Sequence, residues 1–239
     1  MASTKPQQQP TLQALARDTH GKKVWKRKHG VGFAARSHAI GLLADELPRA
    51  AMALPLAFME RDGVYAPVAV LGLAPGQNLL VDSEGRWVGR YLPAILRAWP
   101  FVLARPSEKP KDQNQRVLCV QADNDVIVDK ASVSDETPVT PLFEADGKPH
   151  PDVQKMMDFL VKSERSRGKT DIAVKALADA GVIAPWKIQL RAGGKNRELQ
   201  GLFHIDEKAL NKLSDEDFLK LRKTGSLALA HLMLMAEQN

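Results

Sequence analysis

The spacing of apolar residues changes partway along the chain, and this change constrains the fold more than any other feature of the sequence. Between residues 54 and 128 the apolar residues form short runs, separated by turn formers such as Asp62-Gly63 and Pro75-Gly76. Proline presets φ for the second position of a turn, and glycine supplies a positive φ for a later one. The pattern therefore predicts antiparallel strands, with a meander over residues 54–59, 66–73, 78–81 and 86–91.

From residue 153 onward the spacing becomes helical. The apolar positions i, i+3, i+4, i+7 and i+8 are occupied by Val153, Met156, Met157, Leu160 and Val161. This spacing predicts a helix. A second apolar face between Ala173 and Ala180 ends at Gly181, a typical helix C-terminal residue. The sequence thus favours two helices that form an αα-hairpin.

The remaining C-terminal residues predict a β-hairpin and two further helices. The alternating segments 186–191 and 199–205 flank a turn at residues 192–195 and predict the hairpin. Ser214 and Asp217 have the spacing of a capping box for the next helix. The last apolar run begins at Leu227, ends at Met235 and is apolar nearly all round. Such a helix is predicted to be buried in the core or against a second copy of the chain, as a possible homodimer.

These patterns predict an α+β fold, with an antiparallel β-rich N-terminal part and a helix-rich C-terminal part that contains a β-hairpin. The Gln- and Pro-rich residues 1–12 predict a disordered tail. Residues 13–137 form the predicted β-rich part, which includes a basic N-terminal arm. Residues 138–239 form the predicted helix-rich part, and we expect the two parts to share one core.

Composition excludes several classes of protein. The single cysteine, Cys119, allows no intramolecular disulfide and no multi-cysteine zinc site. No run of eighteen apolar residues is present, so the sequence predicts no membrane span. The polar first ten residues lack the apolar region of a secretory signal. The sequence therefore predicts a cytoplasmic location.

Positive charge is concentrated near the N-terminus. Residues 1–38 carry eight Lys or Arg and one Asp, so their net charge of +7 exceeds the +6 of the whole chain. The cluster at its centre consists of Lys22, Lys23, Trp25, Lys26, Arg27 and Lys28. It could bind nucleic acid, with Trp25 stacked on a base, or another anionic partner. The alternative interpretation is a solvated basic strand with Val24 and Trp25 packed on the body of the protein.

A second candidate site lies between residues 78 and 97, which we call the Arg-rich segment. Its polar residues are Asn78, Asp82, Arg86, Arg90 and Arg97, and its aromatic residues include Trp87 and Tyr91. Arginine offers planar, bidentate donors, so this set could bind a small anionic molecule or a peptide, or serve an enzyme. The alternative interpretation is that Asn78 and Asp82 stabilise turns and the arginines lie on the surface.

No pattern predicts a catalytic residue, a metal site or a cofactor. The segment that ends in Gly168-Lys169-Thr170 lacks the first glycine and the preceding strand of a phosphate-binding loop. The histidines have no metal-ligand spacing. Cys119 lies in an apolar run and is predicted to be a buried core thiol. The sequence leaves open whether the protein is an enzyme and favours a non-enzymatic role.

Many ordered segments of the chain resemble the SapC family of bacterial proteins. The N-terminal ones include Asp45-Glu46-Leu47-Pro48-Arg49, Gly72-Leu73-Ala74-Pro75-Gly76-Gln77-Asn78-Leu79-Leu80-Val81-Asp82 and Gly85-Arg86-Trp87. The C-terminal ones include Gly201-Leu202-Phe203-His204-Ile205-Asp206-Glu207 and Leu221-Arg222-Lys223-Thr224-Gly225. The resemblance extends from about residue 20 to the C-terminus.

The resemblance implies a role connected with the bacterial surface layer, with which the family is associated by name. It implies a non-enzymatic binding or structural protein whose partner is a surface-layer component or another protein. It supplies no catalytic or ligand residues for this chain. A role at the cell surface would require export without a signal peptide, whereas an accessory role would be compatible with the cytoplasm.

Overall fold

We analysed a computed structural model of the chain. It describes residues 11–27, 30–106, 115–192 and 195–239, except for the side chains of residues 190–192 and 195–198. Residues 1–10 of the predicted tail lie outside the described residues. Leu12, the last residue of that predicted tail, instead belongs to a strand, because its backbone pairs with that of Gln121.

The described residues form short strands, short helices and one long helix. The strands are β1 (Leu12–Ala14), β2 (Lys23–Lys26), β3 (Ala39–Gly41), β4 (Leu56–Arg61), β5 (Val64–Val70), β6 (Phe101–Ala104), β7 (Val117–Gln121), β8 (Ile127–Asp129), β9 (Val139–Pro141), β10 (Ile183–Pro185), β11 (Ile188–Ala192), β12 (Lys195–Leu199) and β13 (Leu202–Ile205). The α-helices are α1 (Arg17–His20), α2 (Leu47–Ala50), α3 (Ala94–Arg97), α4 (Pro151–Asp179), α5 (Glu207–Leu210), α6 (Asp215–Lys223) and α7 (Ser226–Ala236). Short 3-10 turns occur at Gly32–Ala34, Ala44–Glu46 and Lys130–Ser132.

The chain divides into two units. One comprises Met1–His29 and Ala98–Lys162, and the other comprises Gly30–Arg97 and Ser163–Asn239. Each unit takes residues from both of the predicted parts, 13–137 and 138–239. Each also has hydrophobic clusters of its own. Strands distant in the chain pair with each other, as β13 pairs with β4, and local patterns do not reveal such pairing.

The first unit contains two antiparallel three-stranded sheets, of order β1-β7-β6 and β8-β2-β9. Its hydrophobic core includes Trp25 from β2, Phe101 from β6, Val120 from β7 and Val153 from α4. The rings of Trp25 and Phe101 meet edge to face, with 4.8 Å between their centroids. Aromatic pairs of this geometry add to the stabilisation that burial provides.

The second unit is built on a five-stranded antiparallel sheet of order β10-β13-β4-β5-β3. Alternation along the strands separates two faces. One face carries Ile40, Leu56, Phe58 and Ala69 into the main core, which it shares with residues of α4 and α7. The opposite face carries a smaller cluster that includes Val68 and Leu202.

The predicted meander is confirmed in its first half and wrong in its second. Residues 56–61 and 64–70 form the β4–β5 hairpin, with Asp62 and Gly63 at φ of 52° and 79° in its turn. Residues 78–81 and 86–91 form no strands, and only an isolated bridge joins Val81 to Trp87. The backbone N–H groups of Leu80 and Arg86 are bound there by the side chains of Asn78 and Asp82, and such local bonds compete with pairing along a strand.

The two predicted helices at residues 153–161 and 173–180 are a single helix, α4, so the αα-hairpin is wrong. No proline interrupts the intervening residues, and one glycine costs a helix only about 1 kcal/mol relative to alanine. The predicted end at Gly181 is confirmed, with φ at 68°. The antiparallel sheets and the helix-rich C-terminal part, which includes the β11–β12 hairpin, confirm the predicted α+β class. Among the helices of the described residues, none is long and apolar enough to cross a membrane.

Candidate functional site

Asn78, the first residue of the Arg-rich segment, is buried and stabilises a turn. Its Nδ2 donates a hydrogen bond to the carbonyl oxygen of Ala34 at 2.9 Å. Its Oδ1 accepts one from the backbone N–H of Leu80, also at 2.9 Å. Both ends of the amide are therefore bound within the fold, as the structural interpretation of this residue expects.

Asp82 and Arg86 lie together at the surface. Asp82 Oδ1 accepts hydrogen bonds from the backbone N–H groups of Glu84 and Arg86, at 2.9 and 2.8 Å. Its Oδ2 accepts a third from Nε of Arg86 at 2.8 Å. These bonds lower the pKa of Asp82, with the backbone N–H of Arg86 the largest cause. Arg86 also contacts Glu84 at 2.6 Å, so both carboxylates offset its charge.

The other two arginines of the predicted site are not brought to this pair by any contact in the described residues. Arg90 is exposed. Arg97, at the end of α3, lies over the ring of Tyr91 with 5.8 Å to its centroid. Of the five predicted residues, only Asp82 and Arg86 are therefore shown in contact with each other.

Glu46 is a polar centre that the sequence analysis did not select. It is buried, and its Oε1 accepts a hydrogen bond from the N–H of Leu43 at 3.0 Å. Its Oε2 accepts from the Tyr91 hydroxyl and from the N–H of Ala94, both at 2.8 Å. Burial, with the negative charge of Glu46 adding to it, raises the pKa of Tyr91 to about 12. A carboxylate set among the apolar residues Leu43 and Leu47 was the available signal, because such a group needs partners when buried.

The basic cluster near the N-terminus lies largely on β2. Trp25 is only 6% exposed and packs in the core of the first unit, so its ring is not available to stack on a base. Nζ of Lys26 donates to the carbonyl oxygen of Asp125 at 2.8 Å, and Arg27 lies 4.3 Å from the Trp25 ring centroid. Lys22 is exposed and Lys23 is half-buried, while Lys28 lies outside the described residues. This arrangement matches the basic-strand interpretation.

Two further predictions concern reactive groups. Cys119 is a buried thiol, as predicted, and burial raises its pKa. In the part of the chain that the structure describes, no group of three or more His, Cys, Asp or Glu side chains is placed to hold a metal ion.

The helix α7 is buried on one side within the second unit, so of the two predicted settings, the core or a second copy of the chain, the core accounts for that side only. Leu229, Ala230 and Met233 pack into the main core of the second unit. Ala228, His231 and Met235 face solvent, and Met235 is 66% exposed. The elements that contact α7 include β4, β13, α2 and α6.

A groove of about 360 Å³ runs beside the open side of α7. Its buried residues are Leu47, Ala173 and Leu229, and its outer wall includes Ile172 of α4, which is 60% exposed. Asp45 and Lys169 form a pair at 4.0 Å among its lining residues. We call the set Ile172, Ala228, His231, Leu232 and Met235 the α7 surface.

These features define an antiparallel α+β protein of two units whose buried carboxylate and turn residues stabilise the fold and whose last helix presents an apolar surface. The chain belongs to the SapC family, whose family model matches residues 15–239. No curated protein and no solved structure matches it.

Proposed function

We propose that the protein is a non-enzymatic binding protein of the SapC family and that the α7 surface is where it contacts its partner. The observation that carries the proposal is a helix with one side in solvent and no Asp, Glu, Lys or Arg among its eleven residues. Helices at a protein surface ordinarily place charged residues on the solvent side. The preceding helix, α6, does so with six of its nine residues.

The chemistry of the α7 surface suits an apolar partner. Burial of apolar area contributes about 25 cal/mol per Å², and an uncharged helix face adds no cost of desolvating ions. Ala228 is small, so a partner can approach the helix backbone closely. The Asp45–Lys169 pair supplies polar groups at the border of the groove, as the rims of protein interfaces do.

The partner we favour is another protein, and the family resemblance points to a surface-layer component. A second copy of this chain is the other candidate, because a self-complementary apolar helix face suits a symmetric dimer. In that case light scattering would give twice the chain mass of 26.3 kDa.

The decisive experiment places a photo-reactive benzoylphenylalanine at residue 235 of the full chain in its native host. The matched control carries it in place of Val64, an apolar residue that is 68% exposed on the β4–β5 hairpin. We expect residue 235 to yield one predominant cross-linked protein after irradiation and residue 64 to yield none. Mass spectrometry then distinguishes a surface-layer protein from a second copy of the chain. Equal labelling from both positions would overturn the proposal.

A further inference from the structure

The strand β3 forms one edge of the five-stranded sheet and has unpaired backbone groups. The N–H of Leu42 donates to Pro67, the N–H of Leu71 donates to His38, and Ile40 pairs with Ala69. In an antiparallel pair, alternate residues direct their backbone groups toward the neighbouring strand and the residues between direct theirs away. Ala39 and Gly41 therefore direct an N–H and a carbonyl each toward the open edge, and no backbone partner binds them among the described residues.

The two edges of this sheet differ in their protection. The opposite edge, β10, contains Pro185, and proline is one of the residues that blocks the addition of a further strand. The sequence of β3 is Ala-Ile-Gly, with no proline and no charge. A Cβ added at Gly41 would meet no atom within 4 Å, so the sheet face is open at this residue, on the side where Val68 lies.

An apolar cavity adjoins the same edge. It has a volume of about 290 Å³ and lies on the sheet face opposite the main core, where Met59, Val70 and Leu202 line it. The loop after β5 contributes Leu73 and Ala74 to its wall. Ala39 belongs both to the cavity lining and to the unpaired edge, so the two features meet at this residue.

We propose that β3 binds an extended segment of a partner polypeptide as an added strand, with one apolar side chain of that segment in the cavity. Backbone hydrogen bonds to Ala39 and Gly41 supply affinity that does not depend on sequence, and the cavity selects the side chain. The occupant must be a polypeptide, because the edge presents alternating N–H and carbonyl groups at the spacing of a strand. This site is separate from the α7 surface, and either proposal can fail without the other.

Along a bound strand, every second backbone amide faces β3, and this alternation can be tested. Linear peptides selected from a phage-displayed random library on the full chain are synthesised with single N-methylated amides at successive positions. We expect methylation to weaken binding by about ten-fold or more at alternate positions, where the amide faces β3, and to have little effect between them. A peptide held by its side chains alone would not show this alternation.

Two variants of the protein test the hydrogen bond that the N–H of Gly41 is proposed to donate to the peptide. Gly41→Pro removes an N–H that points away from β5, so the sheet keeps its own hydrogen bonds. We expect Gly41→Pro to weaken the binding of the selected peptide by about three- to ten-fold, because one hydrogen bond is lost. Gly41→Ala keeps the N–H and is the matched control, which we expect to bind like the wild type.

Ala74→Trp fills part of the cavity and examines the side-chain contribution. We expect it to abolish the preference for a large apolar residue at one peptide position while the alternation with N-methylation persists. The proposal is overturned if the library yields no peptide that binds. It is also overturned if binding shows no alternation and Gly41→Pro binds as well as Gly41→Ala.

Discussion

Two carboxylates of the second unit, Glu46 and Asp82, accept the same number of hydrogen bonds. Glu46 is buried, whereas Asp82 lies at the surface. Each accepts three, two from backbone N–H groups and one from a side chain. Two of the three donors of Glu46 come from Tyr91 and Ala94, 45 and 48 residues further along the chain. Those of Asp82 come from within four residues, at the surface.

Glu46 and Asp82 therefore contribute differently to the free energy of unfolding. Glu46 connects the 3-10 turn before α2 to the start of α3, so its loss leaves buried donors without an acceptor. Asp82 shapes one exposed turn, where water can replace the lost bonds. A buried unsatisfied group costs about 1–3 kcal/mol, whereas water largely compensates an exposed one.

Glu46→Ala is expected to lower the free energy of unfolding by about 3 kcal/mol, because the buried N–H of Ala94 and the Tyr91 hydroxyl lose their acceptor. Urea denaturation followed by circular dichroism measures the change. Glu46→Gln, the control, keeps one oxygen acceptor and should fall between the wild type and the alanine variant. A loss of less than about 1 kcal/mol for Glu46→Ala would show that these bonds contribute little.

Thr170→Val is expected to lower the free energy of unfolding by about 1–2 kcal/mol. The buried hydroxyl of Thr170 accepts a hydrogen bond from the N–H of Ala44 at 2.8 Å and donates one to the carbonyl of Ser166 at 2.7 Å. Valine has the same shape and leaves the N–H of Ala44 unpaired at the start of the turn that contains Glu46. Thr170→Ser keeps the hydroxyl and should retain most of the stability in the same urea titration. Equal stabilities for the valine and serine variants would contradict this account.

Tyr91→Phe is expected to cost about 1 kcal/mol near neutral pH, through the lost bond to Glu46, and to change the alkaline behaviour. The folded pKa of Tyr91, about 12, lies above the unfolded value of about 10. The neutral phenol therefore contributes stability that is complete below the unfolded pKa and is lost as pH rises through the folded one.

Urea denaturation near neutral pH and at about pH 11 measures the alkaline effect. The gap between wild type and Tyr91→Phe should narrow as pH rises over this range. The control Tyr65→Phe removes the only other tyrosine. This variant should keep the stability that Tyr91 contributes. If wild type and Tyr91→Phe differed in the free energy of unfolding by the same amount at both pH values, the raised pKa of Tyr91 would be refuted.

Asp82→Ala is expected to have the smallest effect, a slight decrease in the unfolding temperature. Because hydrogen bonds lower the folded pKa of Asp82, its contribution is present above the unfolded pKa and is lost as pH falls through the folded one. Thermal unfolding of wild type and variant should therefore converge in acid. Asp82→Asn keeps an acceptor for the N–H of Arg86 and should lie closer to the wild type at neutral pH. If Asp82→Ala lowered the unfolding temperature as much as Glu46→Ala does, the two carboxylates would contribute equally to stability and the predicted contrast would be wrong.

The sequence predicted those elements whose signals lie within a few residues. Ser214 accepts the N–H of Asp217 at 3.2 Å and caps α6 as expected. Gly225 precedes α7 with φ at 76°, and the β4–β5 turn lies at Asp62 and Gly63. The predicted strand at residues 78–81 failed because the side chain of Asn78 binds the N–H of Leu80. Apolar periodicity carries no information about that competition.

The contacts of the candidate site residues depend in part on segments that are distant in the chain. The alternative interpretation of Asn78 and Asp82 as turn residues agrees with their contacts. Glu46 was missed because two of its donors are distant in the chain. The apolar character of α7 was evident from its residues, but which of its sides is covered depends on the sheet and α2.

Local sequence patterns are enough to predict the α+β class, the main turns and caps, the buried thiol and the placement of positive charge near the N-terminus. These properties follow from backbone preferences and side-chain hydrogen bonds over a few residues. Only the three-dimensional fold shows that Glu46 joins distant segments and that β3 is an unprotected edge. Each of these depends on which distant segments come together, because burial and strand order are properties of contacts that no local pattern contains.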